Sequence, residues 1–195
     1  MLNENFVIVG AILNLIGSLD YLVATIKGGV KPDRVTWLLW SVIPFIAFTA
    51  QIKQGVGLQS LMTFMTGFTP LMIFLASFAN KKSFWRLGRL DIICGTLSIA
   101  GILLWYITKT GNTAIIFSII ADCLAAIPTI IKSYHAPETE DYKIYLLGSL
   151  AAAITLLTIK TWSFAYFGWP VYILIVTLLL TVLIRFKLGR LSSSW

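Results

Sequence analysis

Ile26-Lys27-Gly28-Gly29-Val30-Lys31-Pro32-Asp33-Arg34-Val35-Thr36-Trp37-Leu38-Leu39-Trp40 is answered 105 residues later by Ile131-Lys132-Ser133-Tyr134-His135-Ala136-Pro137-Glu138-Thr139-Glu140-Asp141-Tyr142-Lys143-Ile144-Tyr145. An Ile-Lys pair, a proline followed by an acid, and two aromatics three apart keep their spacing without a gap. The chain reads as two copies of one unit. Apolar runs flank both stretches, and internal repeats in a hydrophobic chain are a usual mark of a transporter whose substrate site lies between the copies.

Composition puts the repeat in a bilayer. Of 195 residues, 58% are hydrophobic and 12% charged, and mean hydropathy is +0.87. A soluble domain of this size has too little polar surface to cover such a composition. Seven apolar runs approach the length of about 20 residues that hydrocarbon thickness demands: 6–26, 35–52, 57–78, 90–107, 114–131, 145–159 and 164–186. The sixth is short and borrows from 141–144. The fold expected is an all-α membrane protein with seven transmembrane helices.

Basic residues set its orientation. With the N-terminus outside, Lys27, Lys31, Arg34, Lys81, Lys82, Arg86, Arg89, Lys132, Lys143, Arg185, Lys187 and Arg190 fall inside, against Lys53, Lys109 and Lys160 outside. N-out/C-in follows from that bias. The net charge of +7 then describes a cytoplasmic rim facing anionic headgroups, with no soluble surface for nucleic acid. Residues 1–6 carry Glu4 and no Lys or Arg, unlike the basic start of a cleaved signal, so the first span is expected to stay. A bacterial inner membrane is the location these features suit.

Two three-helix units joined directly would leave their equivalent loops on opposite sides of the membrane, and one extra span brings them to the same side. The expected layout is therefore 3+1+3 with parallel repeats: residues 1–80, a linker helix within 81–111, and 112–195. Gly95, Ser98 and Gly101 give the linker a small-residue face for close packing.

Pro128-Thr129-Ile130-Ile131-Lys132, closing the fifth span before a short polar loop, resembles the Pro-Gln motif of PQ-loop and SWEET transporters, with Thr129 in the glutamine position. The first copy has Val23-Ala24 there. The 3+1+3 layout, orientation and length also look like that superfamily, over nearly the whole chain. Trp37-Leu38-Leu39-Trp40 has, in addition, the spacing of the Trp-x-x-Trp motif that lines the substrate site of PnuC vitamin transporters. The resemblance implies passage of a small solute, with Pro128 as a hinge.

Polar residues inside spans carry the candidate site. An ionisable group at mid-helix costs about 2.5–3.5 kcal/mol on insertion scales, so it should face a cavity or a partner. Asp20 and Asp122 are such groups, offset by about one turn between the copies, and their alternatives are a proton or substrate site or a packing hydrogen bond. Asn14 adds a neutral donor and acceptor to the first span. Trp37 with Trp40 and Tyr142 with Tyr145 each share one helix face, either as interfacial anchors or as walls for a flat ring or sugar. Pro44 and Pro128, with Pro70 and Pro170, interrupt helices and permit bending. Ser60, Thr63 and Thr66 form a hydroxyl stripe, and Trp162, Phe164, Tyr166, Phe167 and Trp169 form an interfacial belt. The loop acids Asp33, Glu138, Glu140 and Asp141, beside Lys31, Arg34 and Lys143, read as solvated surface pairs, with an ion-pair gate as the alternative.

Little chemistry of other kinds is encoded. Cys94 and Cys123 read as buried, reduced packing residues. His135 is the single histidine, too few for a zinc site, and neither an H-E-x-x-H nor a G-x-S-x-G pattern occurs. An enzyme is not expected, nor a metal or cofactor. A retinal protein needs a lysine within its last helix, and here the first is Lys187 at its end. The functional expectation is a facilitator or proton-coupled carrier for a small polar solute such as a sugar or vitamin nucleoside. A cargo or ligand receptor of the same fold, or a non-transporting membrane protein, is the alternative. The expected partners are the solute and the bilayer, with a homo-oligomer left open.

Overall fold

The computed structural model describes residues 2–82, 85–108 and 111–191. Seven long helices account for most of it: α1 (Phe6–Lys27), α2 (Arg34–Lys53), α3 (Ser60–Ala76), α4 (Arg89–Thr108), α5 (Gly111–His135), α6 (Tyr142–Thr158) and α7 (Phe164–Phe186), followed by the four-residue α8 (Leu188–Leu191). Among the described residues there is no strand. Of these helices, α1, α2, α5 and α7 are long and apolar enough to cross a membrane. The helices α3 and α6, at 17 residues each, reach only about 26 Å.

Local chemistry fixes the helix ends. Gly28, at φ 82°, takes the left-handed conformation that closes α1. Asp33 caps α2, its Oδ1 accepting from the N–H groups of Val35 at 3.0 Å and Thr36 at 3.2 Å, and Asp141 caps α6 through Lys143 N–H. These caps correct the register read from the sequence. Helix ends (Lys27 and His135), caps (Asp33 and Asp141) and helix starts (Arg34 and Tyr142) are separated by 108 residues, not 105. The helix α5 runs one turn past the apolar stretch that ends at Ile131, so Lys132 lies inside a helix and is buried, whereas Lys27 ends one and is exposed.

Polarity is arranged inside out. On α1, Ile8, Ile12, Ile16, Leu19, Val23 and Ile26 form an exposed stripe at spacings of three and four, while Asn14, Ser18, Tyr21 and Thr25 are buried. The helix α4 likewise turns Ile92, Ile93, Leu97, Ile99 and Leu103 outward. Such a surface suits hydrocarbon rather than water. Cys123 is part of the exposed surface, so of the two cysteines only Cys94 is buried.

Packing is nearly symmetric between the chain's halves. The helix α3 packs against α1 and α2, and α7 packs against α5 and α6; α1 meets α6, and α2 meets α5. Among the described residues the backbones of α1 and α2 do not come close to each other, nor do those of α5 and α6. The helix α4 lies outside, against α5 and α2, where Ser98 Oγ donates to the Ala121 carbonyl at 2.8 Å and Gly95 leaves room for Val35. The surroundings of Gly101, Lys109 and Arg190 lie outside the described residues. The α1–α6 seam is close: a Cβ on Gly10 would stand 3.2 Å from the Ala151 carbonyl oxygen, and one on Gly17 would stand 3.2 Å from Ile144 Cα.

Candidate functional site

Six of the seven long helices, all but α4, converge on one cavity, about 570 Å³ of empty space when the part open at its mouth is included. The helix α1 contributes Asn14 and Ser18; α2 gives Trp37, Trp40 and Pro44; α3 gives Thr66, Thr69 and Pro70. From the other half come Asp122 of α5, Ile144, Tyr145 and Gly148 of α6, and Ile173, Val176, Thr177 and Leu180 of α7. Four pairs of these stand 108 residues apart: Asn14 with Asp122, Trp37 with Tyr145, Trp40 with Gly148, and Thr69 with Thr177. The helix register that sets the caps thus also sets the cavity wall.

Polar groups of the wall are only partly satisfied. Tyr172 Oη donates to Asp122 Oδ2 at 2.7 Å, and Thr69 Oγ1 lies 3.1 Å from Asn14 Oδ1. Trp169 Nε1 donates to Thr66 Oγ1 at 3.1 Å. By contrast Asp122 Oδ1, Trp37 Nε1, Trp40 Nε1 and Ser18 Oγ are buried and have no hydrogen-bond partner among the described residues. Buried polar atoms are nearly always paired, and here four that are not share one cavity.

Three of the lining aromatics, Trp37, Trp40 and Tyr145, belong to a circuit of rings. Tyr21 lies against Trp37 with ring centroids 5.0 Å apart, Trp37 meets Trp40 edge-on at 5.4 Å, and Trp40 meets Tyr145 at 6.5 Å. Both tyrosine hydroxyls donate to Glu140 Oε2, at 2.7 Å from Tyr21 and 3.0 Å from Tyr145. Glu140 Oε1 is ion-paired with Lys132, both side chains almost wholly buried, and Lys132 Nζ also donates to the Lys31 carbonyl at 2.8 Å. Trp85 lies over that ammonium, 5.5 Å away. The loop acid Glu140, expected in a solvated pair, is instead the joint of the circuit.

Beside it, Asp33 is buried with Asp91 of α4 against it. Burial, and then the neighbouring Asp91 carboxyl, push Asp33 up to about 6, against the opposing pull of the Thr36 N–H and Lys132.

The other expected site residues are dispersed. Asp20 is half-exposed, 3.0 Å from Lys143, and lies away from the cavity; the residue opposite Asp122 is Asn14. This pair is a solvated one of the kind the loop charges suggested. Tyr142 is outside the cavity, under Arg185 at 5.5 Å, so it does not form a wall with Tyr145. Pro44 lines the cavity, and Pro128 is buried in α5 away from the lining. Of the hydroxyl stripe only Thr66 reaches the cavity. Trp169 is fully buried rather than interfacial. Lys132, Tyr21 and Thr177 escape a reading of the sequence as site residues, and Glu140 enters it only through the alternative of an ion-pair gate; the signal that could have found Thr177 is the 108-residue spacing from Thr69.

No protein-family model, no curated protein and no solved structure matches the chain.

Proposed function

We propose that this protein is a membrane carrier for a small polar solute, built as two parallel three-helix units joined by α4. The observation that carries this reading is the cavity between the halves, lined by four buried polar atoms without partners, in a molecule whose outer surface is apolar. Unpaired buried polar groups destabilise a protein by about 1–3 kcal/mol each, a burden that a polar ligand relieves. The exchange of packing partners between halves, α1 on α6 and α2 on α5, supports a pseudo-twofold axis through the cavity. Such an axis lets one unit rock against the other around a fixed site. The kinship to SWEET and PQ-loop carriers belongs to this proposal, as does the N-out orientation that puts the Glu140 circuit on the cytoplasmic side.

In this mechanism the solute sits between Asp122, Asn14 and the Trp37–Trp40 wall, and the circuit around Glu140 shuts the end beneath it. Opening that end requires Tyr21 or Tyr145 to leave Glu140. Uptake of sugars, nucleosides, amino acids and amines into proteoliposomes tests the reading. Saturable uptake that Asp122→Ala or Trp40→Ala removes supports it. Binding without uptake for every bound solute would replace the carrier with a ligand receptor.

A further inference from the structure

The cavity has one carboxylate and, among its described lining residues, no lysine, arginine or histidine. Tyr172 occupies Asp122 Oδ2 and leaves Oδ1 without a partner. The nearby donors and acceptors of Asn14, Thr69 and Thr177 are neutral, so no described side chain of the wall offsets the charge. A buried carboxylate without a counter-charge is strongly unfavourable. The lining aromatics, Trp37, Trp40 and Tyr145, are the surfaces that attract a cation through their ring faces. Two of them also hold buried indole N–H groups with no acceptor, which hydrophobic contact alone leaves unsatisfied.

We infer that the cavity takes a protonated amine that also carries a neutral hydrogen-bond acceptor, such as a hydroxyl or carbonyl. The ammonium donates an N–H to Asp122 Oδ1 and lies against an aromatic face, and the acceptor meets the Trp37 or Trp40 indole N–H. A quaternary ammonium fits less well, because it brings the charge without an N–H for Oδ1. A neutral polyol fits less well, because it leaves the carboxylate uncompensated. This inference rests on the cavity's being a ligand site and not on transport.

Matched probes test it on the purified full chain by calorimetry and ligand-dependent melting: tyramine against tyrosol, ethanolamine against ethylene glycol, and ethanolamine against choline. The expected result is that the ammonium member of each of the first two pairs binds at least about tenfold tighter, a factor that corresponds to one hydrogen-bonded charge pair in a desolvated site. Ethanolamine should likewise bind more tightly than choline. Asp122→Asn should abolish the preference for ammonium over hydroxyl, and Trp40→Phe should weaken both members of a pair alike while keeping the ratio. Equal or tighter binding of the alcohols overturns the inference, as does no binding of any amine at about 10 mM. A preference that survives in Asp122→Asn overturns it too, and where that variant does not fold, a preference that survives in Asp122→Ser does so. Amine binding without uptake would refute the carrier reading and leave this one standing; uptake of a neutral solute with no amine binding would do the reverse.

Discussion

Replacing Lys132 with methionine removes the cation from a carboxylate that water does not reach. Methionine keeps most of the stem volume, so the change is chiefly electrostatic. The two side chains are 1% and 0% exposed, and Glu140 retains only the hydroxyls of Tyr21 and Tyr145 once the ammonium is gone. Breaking one partner of a buried pair costs about 3–5 kcal/mol because a charge is left uncompensated. At about 2–4 °C per kcal/mol for a chain of this size, the melting temperature falls by about 6–20 °C. Glu140→Gln should cost about as much, since it leaves the buried Lys132 ammonium with the Lys31 carbonyl and the Trp85 ring in place of its carboxylate, and the double variant should recover much of either loss. Thermal unfolding in detergent, followed by tryptophan fluorescence, measures all three. A drop below about 2 °C for Lys132→Met, or a double variant as unstable as the sum of the singles, refutes the account of Glu140 as a buried, ion-paired joint.

Raising the pH from about 4 to above 6 should lower stability: Asp33 binds its proton more tightly folded, at about 6, than unfolded, so the folded state loses its advantage as the pH rises through that window. Asp33→Asn, which still caps α2, should flatten the slope in melting curves across this range, and an unchanged slope would count against burial beside Asp91 as its cause. Gly10→Ala puts a methyl against the Ala151 backbone, which cannot rotate away, and should destabilise by about 1–3 kcal/mol in the same melting assay. Asp20→Asn, at a half-exposed pair, should leave both solute binding and melting unchanged, whereas Asp122→Asn alters binding; equal effects of the two would refute the separation of these acids.

The sequence is most readable where one physical demand acts alone. The helix α7 begins and ends where its apolar run does, at Phe164 and Phe186, because polar residues border it on both sides. The seven helices can be counted for the same reason. Lys132 is less readable: an apolar run ending at Ile131 puts it in a loop, but the helix continues to His135 and carries the lysine inward, where only a partner from another element makes it tolerable. Glu140 is that partner, and nothing in a polar loop distinguishes the acid that turns inward from Glu138 and Asp141 beside it. The pairing of Asn14 with Asp122 is hidden by loop identities at 105, which mask a helix register of 108. Asp20 shows the opposite failure, because an acid within an apolar run reads as internal while the helix places it on the rim beside Lys143.

The cavity wall keeps its near-symmetry at Thr69 with Thr177 and breaks it at Asn14 with Asp122 and at Trp40 with Gly148. Two identical walls would accept any guest in two equivalent poses related by a half-turn. With the charge on one wall and the indole on the other, those poses differ in energy and one dominates. The departures from symmetry thus decide which half of the molecule each end of a guest faces.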